Sequence, residues 1–281
     1  MAQASERPVK IEARNVSMVF GDDVRQGTLV LDDVSLEVRE GEFVTVVGPS
    51  GCGKSTLLNL LSGLIAPTSG TLYLDGREVV GASKNYGYML QRDLLLDWRT
   101  ILRNVTLGLE VRGVPGSKAR ALAEKYLRFY GLEGYEHKYP SELSGGMRQR
   151  AALARTMILD PNILLLDEPF VALDFQTKLI LESDLAMSVA GGHRSVLFIT
   201  HDVEEAVSLS DRVVVMSKRP GRIKAVHEIH LDCDRTDPVT ARKAPRFGEY
   251  VTTIWQQLEI QTSTLDLQGL KSTRLADELT T

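Results

Sequence analysis

Phe43-Val44-Thr45-Val46-Val47-Gly48-Pro49-Ser50-Gly51-Cys52-Gly53-Lys54-Ser55-Thr56-Leu57-Leu58-Asn59-Leu60-Leu61 is the stretch that decides the fold. Its first five residues are apolar or β-branched, the pattern of a buried strand. Its last five open a helix. Between them stands G-x-x-x-x-G-K-S. Gly48, Gly51 and Gly53 lack a Cβ, so the backbone can turn tightly and aim N–H groups at one point. The positive end of the following helix faces the same point. A phosphate group is therefore expected there, with Lys54 reaching the β- and γ-phosphates of a nucleotide and the Ser55 hydroxyl ligating Mg²⁺. Ser50, Cys52 and Thr56 belong to the same loop. Cys52 is oxidisable there but has no required role.

Composition sets the outer limits. At 281 residues the chain can build a substantial core, as one large domain or one domain with an inserted arm. It is 43% hydrophobic and 25% charged with a formal net charge of −4, which gives no sign of a nucleic-acid surface. No apolar run approaches the ~20 residues of a membrane-spanning helix, and no apolar segment follows the first residues as in a secretion signal. Two cysteines, Cys52 and Cys233, suit a reducing compartment. A soluble, cytosolic protein is expected.

Working outward, Val9–Ala13, Leu29–Leu31 and the alternating Val34–Val38 read as strands, with Met18–Gly21 between the first two. Phe20 suits stacking on an adenine ring or a place in the core. Gly70–Gly76 reads as a strand entering an Asp-Gly turn, and Tyr86–Leu90 as a strand ending at Gln91. From Asp93 the texture turns helical. Ile101–Leu109 and Ala119–Tyr130 are helices, the second with Ala119, Leu122, Tyr126 and Phe129 on one face and Gly131 as its C-terminal stop. This is a helical insertion into an α/β protein. It ends at Leu143–Arg150, after which Met147, Ala151, Ala154 and Ile158 line one helical face. Ile163–Leu166 and Val196–Ile199 then read as central parallel strands. Asp202 with Glu205 resembles a capping box. Arg212–Met216 and Arg222–Ile229 close the sheet. One helix, Phe247–Leu258, stands in an otherwise polar C-terminal region.

Gly48, Asp167 and His201 each follow an apolar strand directly. In a parallel sheet the carboxyl ends of strands share one rim, so these residues should converge. Asp167 can hold Mg²⁺ directly or through water. Glu168 is placed to accept a proton from an attacking water, a role typically contributing ~10²–10⁴ in rate. His201 and Gln91 can reach the γ-phosphate, the metal or that water. Ser144-Gly145-Gly146 poses a separate question, because it is a second anion-binding helix start in a chain with one lysine-bearing loop.

Here Leu143–Arg150 resembles the signature motif of ATP-binding-cassette (ABC) ATPases. The other family motifs stand in order: Gly48–Ser55 (Walker A), Gln91 (Q-loop), Ile163–Glu168 (Walker B), Ala172–Asp174 (D-loop) and His201 (H-loop). The resemblance spans Val9 to Ile229. It implies an α/β fold, a P-loop NTPase core with a parallel sheet, an antiparallel N-terminal β-subdomain and an inserted α-helical subdomain. The cassette is expected over 9–230, its helical insertion over about 92–158, and a C-terminal extension over 231–281. It further implies ATP and Mg²⁺ as ligands, with Ser55, Gln91 and Asp167 around the metal and Phe20 on adenine. In the family two subunits close head-to-tail, so Ser144, Gly145, Gly146 and Gln149 would act on a nucleotide held by a second copy, with Asp174 at the D-loop between them.

Asp97–Ile101, Gly113-Val114-Pro115, Asp167–Phe170 and Val213–Arg222 further resemble the importer ATPases for nitrate, sulfonates and taurine. That branch implies two membrane permease subunits, a periplasmic binding protein, and a peripheral place on the cytoplasmic face of a bacterial inner membrane. A permease helix would meet the stretch from Leu94 to Leu107, where Leu94, Leu95, Leu96 and Trp98 offer apolar surface. The same residues would equally serve to pack the helical arm. Asp97, Leu90 and Val171 depart from the branch pattern, and none removes a group that hydrolysis needs. The rival reading is a cassette ATPase acting on DNA or ribosomes. The insertion is too short for the long coiled coil of the DNA-associated relatives, and there is one cassette where the translation factors have two.

Overall fold

The computed structural model describes residues 7–21, 27–83, 85–192 and 194–258. Two sheets carry the architecture. The smaller is antiparallel and is formed by β1 (Val9–Phe20), β2 (Thr28–Arg39), β4 (Ser69–Leu74) and β5 (Arg77–Glu78) in the order β2-β1-β4-β5. The larger runs β10-β9-β3-β8-β7-β6, with β3 (Phe43–Val47), β6 (Gly87–Met89), β7 (Ile163–Asp167), β8 (Ser195–Ile199), β9 (Arg212–Met216) and β10 (Ile223–Glu228). Its neighbours pair in parallel except β10, which returns antiparallel along β9.

The central strands β3, β7 and β8 are buried along their whole length and mostly apolar, because both faces are covered. On β7, Leu164 and Leu166 join the core shared with the helical arm, while Ile163 and Leu165 join the core shared with the small sheet. On β8, Val196 and Phe198 divide from Leu197 and Ile199 in the same way. This is the period-two alternation of a doubly covered strand. α1 (Lys54–Leu61) packs on the small-sheet side. α2 (Ile101–Val111), α3 (Gly116–Phe129), α4 (Gly145–Met157) and α5 (Phe175–Ala190) pack on the other. α6 (Val203–Leu209) shares a third core with β9 and the C-terminal helices α7 (Pro238–Lys243) and α8 (Phe247–Gln257).

Several expectations are corrected. Leu29–Leu31 and Val34–Val38 form one strand, β2, because Asp33 takes a positive φ of 52° and the ladder with β1 shifts register without breaking. Met18–Phe20 belongs to β1. The buried face of α3 is Ala119, Ala123 and Leu127, with Phe129 turned out and Tyr130 buried just beyond the helix. The Asp202–Glu205 box is half formed. Asp202 accepts from the N–H groups of Glu204 and Glu205, but its own N–H donates to Thr200 Oγ1 at 3.0 Å, and the Glu205 carboxylate turns to Lys178 instead. α7 lies in the stretch read as polar, opened by Asp237 as its cap and Pro238 in its first turn. The Asp-Gly turn stands as read, with positive φ at both Asp75 and Gly76.

Lys178 on α5 is the hub of a half-buried charge cluster. Its Nζ lies 2.7 Å from Asp202, 3.1 Å from Glu205 and 3.8 Å from Glu182. Glu182 is wholly buried and accepts two hydrogen bonds from Arg242 of α7, at 3.0 and 3.2 Å. Burial pushes the Glu205 carboxyl up to about 7 against the pull of Lys178, and it raises that of Glu182 as well, against Arg242.

The loop between β9 and β10 is seated on the phosphate loop. The Gly221 N–H donates to the Val30 carbonyl at 2.8 Å, and its own carbonyl accepts from Asp32 N–H at 3.0 Å. A Cβ on Gly221 would stand 2.0 Å from the Cys52 carbonyl oxygen. Gly221→Ala should therefore lower stability by about 1–3 kcal/mol through overpacking. A thermal midpoint equal to that of the unaltered chain would show that the loop lifts off without cost.

Candidate functional site

Strand ends build the site. β3 delivers the glycine loop, and Gly51 and Gly53 take positive φ of 76° and 106° before α1 begins. The space beside Gly53 is filled by β2, since a Cβ there would meet Leu31 Cδ2 at 2.6 Å. Lys54 is buried and its ammonium donates to the Gly48 and Pro49 carbonyls at 2.7 and 3.1 Å, so its charge is held inside the loop's curve. Cys52 is buried, and burial raises its thiol pKa against the pull of Lys54.

β7 delivers Asp167 and Glu168, and β8 delivers His201. Asp167 is buried, and one of its oxygens, Oδ1, has no hydrogen-bond partner among the described residues. Burial raises its carboxyl above the ordinary range, Ser55 opposes this, Glu168 adds to it and Lys54 opposes it. A buried carboxylate oxygen left open beside Ser55 and the glycine loop fits a divalent cation brought in on phosphates, since Mg²⁺ is commonly held by one or two carboxylates plus substrate oxygens.

Glu168 has a positive φ of 48°, a costly conformation for a residue with a Cβ. Its N–H donates to the Ile199 carbonyl at 2.9 Å, which fixes the turn. The turn aims the side chain at the rim. Glu168 Oε2 accepts from Gln91 Nε2 at 3.3 Å and lies 3.3 Å from His201 Nδ1. Gln91, Glu168 and His201, far apart in sequence, thus converge on one oxygen. A cavity of about 460 Å³ joins Phe20, Ser50, Lys54, Gln91, Glu168 and Arg219. A cleft of about 570 Å³ opens at the opposite, amino-terminal end of the strands beside Phe43, Asp211 and Arg235, away from this convergence.

Residues 31–171 match the ABC transporter family. The chain belongs to that family. An uncharacterized ABC transporter ATP-binding protein of Methanocaldococcus jannaschii is 49% identical over 230 residues, covering 81% of this chain and 85% of its own length. The taurine import ATP-binding protein TauB of Yersinia pseudotuberculosis is 44% identical over 255 residues, covering 88% and 98%. The nitrate import ATP-binding protein NrtD of a Synechocystis species is 42% identical over 244 residues, covering 85% and 91%. Among solved structures, a dimeric ATP-binding cassette in a post-hydrolysis state with ADP and Pi bound is 30% identical with a TM-score of 0.72, covering 78% of this chain and 99% of that one.

The signature and D-loop residues of this ABC ATPase take different surroundings. Ser144 caps α4 by accepting from Met147 N–H at 3.3 Å, and Ser144 and Gly145 face solvent outside the cavity just described. Gly146 packs on the D-loop, where a Cβ would stand 2.9 Å from the Ala172 carbonyl. Gln149 differs from its neighbours in the motif: it is buried, and its Nε2 donates to the Glu168 carbonyl of its own chain at 3.5 Å. Asp174 caps α5 through Thr177 N–H at 3.0 Å.

After Gln91, Leu94 and Trp98 are exposed and Leu96 is half-buried. Leu95 is a correction, because it is buried in the core of the helical arm. The segment is tied down closely. Arg155 donates to the Asp93 and Leu94 carbonyls, Arg148 to the Asp93 carboxylate, and Asn104 exchanges hydrogen bonds with the backbone of Leu96. A groove of about 340 Å³ opens beside it, walled by Tyr86, Leu107, Val111 and Leu159. Sequence reasoning missed Arg219 and the Arg155 clamp. Both depend on contacts distant in sequence that no local pattern marks.

Proposed function

We propose that this chain is the ATP-hydrolysing subunit of an importer for a small anionic solute such as nitrate, taurine or another sulfonate. Residues 9–230 would form the cassette, with 92–158 as its inserted arm. The observation that carries the reading is a hydrolytic convergence on Glu168 beside a separate, exposed helix start at Ser144–Gly145. A solvent-facing anion site outside its own chain's cavity suits a site completed by a second copy. The names of the nitrate and taurine relatives favour an importer, and Leu94, Trp98 and the adjoining groove offer an apolar seat for a permease helix. The chain would sit peripherally on the membrane, since no helix among the described residues is long and apolar enough to cross one. A solute-binding protein would be met only through the permease.

In this mechanism the loop N–H groups and Lys54 bind the β- and γ-phosphates, and Phe20 packs on adenine. Ser55, Asp167 and Gln91 would hold Mg²⁺, which when bound would supply neutralising charge for the transferring phosphoryl group. Glu168 accepts the proton of a water whose oxygen bonds to the γ-phosphorus. The bond to the β–γ bridging oxygen breaks, leaving ADP and phosphate. Gln91 and His201 hold the Glu168 carboxylate in place, and Ser144, Gly145 and Gly146 of the second copy close on the γ-phosphate.

The test is phosphate release by the chain assembled with its permease subunits and binding protein in vesicles. Stimulation by nitrate, taurine or an alkanesulfonate is expected. Co-purification with ribosomes or DNA, and no permease-dependent stimulation, would overturn the importer reading.

A further inference from the structure

The stretch Ser217-Lys218-Arg219-Pro220-Gly221-Arg222 helped to sort the branch of the family, yet hydrolysis gives it no task. Its geometry does. The loop is anchored at three points around the phosphate loop: Gly221 on the Val30 and Asp32 backbone, Gly221 again against the Cys52 carbonyl, and Arg222 in an ion pair with Asp32. Within the loop, Ser217 Oγ donates toward the Pro220 carbonyl at 3.0 Å and accepts from Arg222 N–H at 3.0 Å. Arg219 is the exposed tip of this fixed turn, and it lines the same cavity as Phe20 and Val30.

The anchoring sets Arg219 beside the wall of the cavity that β1 and β2 build. Phe20 on β1 pairs with Thr28 on β2, and Val30 lies two residues further along β2. The loop is hydrogen-bonded to that same Val30, so Arg219 shares with Phe20 the side of the cavity that β1 and β2 build, while Val30 reaches from there to Gly53 and the phosphate loop. Among the described residues no hydrogen bond or ion pair engages the Arg219 guanidinium. A planar cation at an aromatic-lined end of a nucleotide cavity is suited to stacking on a purine ring.

The geometry points to Arg219 as a base-end binding residue that packs on the adenine of the bound nucleotide and makes the site depend on a purine and not on phosphates alone. This rests on the reading of the cavity as an ATP site. It adds a cationic contact to the aromatic one at Phe20.

Isothermal titration of the full chain with MgATP, and separately with Mg-tripolyphosphate, tests it. Arg219→Ala should weaken MgATP about 10-fold and leave tripolyphosphate unchanged. Arg219→Lys should fall between, because it keeps the charge without the plane. The thermal midpoint of each nucleotide-free variant should match that of the unaltered chain. Equal weakening of both ligands would place Arg219 on the phosphates and overturn the inference. Unchanged MgATP affinity in Arg219→Ala would overturn it as well. If the unaltered chain failed to bind MgATP, the ATP-site reading itself would fall and take the inference with it.

Discussion

Glu168→Gln is expected to bind MgATP as tightly as the unaltered chain while turnover falls by ~10²–10⁴. The substitution keeps size and hydrogen-bonding capacity, so the neighbours at 3.3 Å, Gln91 and His201, retain a partner. What disappears is a carboxylate able to take a proton. The backbone at this position is held by the bond from Glu168 N–H to Ile199, which the side chain does not influence. Folding should therefore be unaffected. With uncleaved ATP in place, two copies should stay joined, and gel filtration with MgATP should show the variant at twice the monomer mass. Turnover within a few-fold of the unaltered chain would remove Glu168 from the proton path.

Arg242→Ala should cost about 3–5 kcal/mol of folding stability, the range for breaking a buried ion pair. Glu182 is wholly buried, and without Arg242 its remaining cation is Lys178 at 3.8 Å, already engaged by Asp202 and Glu205. The sign of the pH dependence follows from the carboxyls. Burial raises both Glu182 and Glu205 above their ordinary values, so the folded chain holds more protons than the unfolded one. Their contribution is fully present below the ordinary carboxyl range and declines as pH rises from there toward about 7, the value at Glu205. Removing Arg242 should raise Glu182 further, so the deficit of the variant should shrink at pH 5 and widen at pH 8. Urea midpoints at the two pH values measure this. A deficit independent of pH would mean that Arg242 acts through packing of α7 alone.

The parts of the fold legible in the sequence were those written in local patterns. Apolar strands ending at Gly48, Asp167 and His201 located the rim, because a parallel strand buried on both faces leaves few alternatives to a continuous apolar run. What escaped was set by long-range geometry. Nothing local says that Lys178, Glu182 and Arg242 meet, or that Arg219 stands over a cavity opened by residues near the amino terminus. Leu95 and Phe129 were assigned to the wrong environment because an apolar residue on a helical or irregular segment fits either side until its neighbours are known. α7 was different. Asp237-Pro238 is a recognisable helix start, but six residues are too few for periodicity to register. Gln149 was grouped with its motif neighbours, whereas the turn of α4 carries it inward, under Glu168.

The ties that Arg155, Arg148 and Asn104 make to residues 93–96 have a mechanical meaning. Three polar side chains rooted in α2 and α4 grip that short piece of backbone, so a load on Trp98 would be expected to pass into both helices. The two helices and this segment would then turn together as one lever. Gln91, two residues from the grip and 3.3 Å from the Glu168 carboxylate, is the short end of that lever.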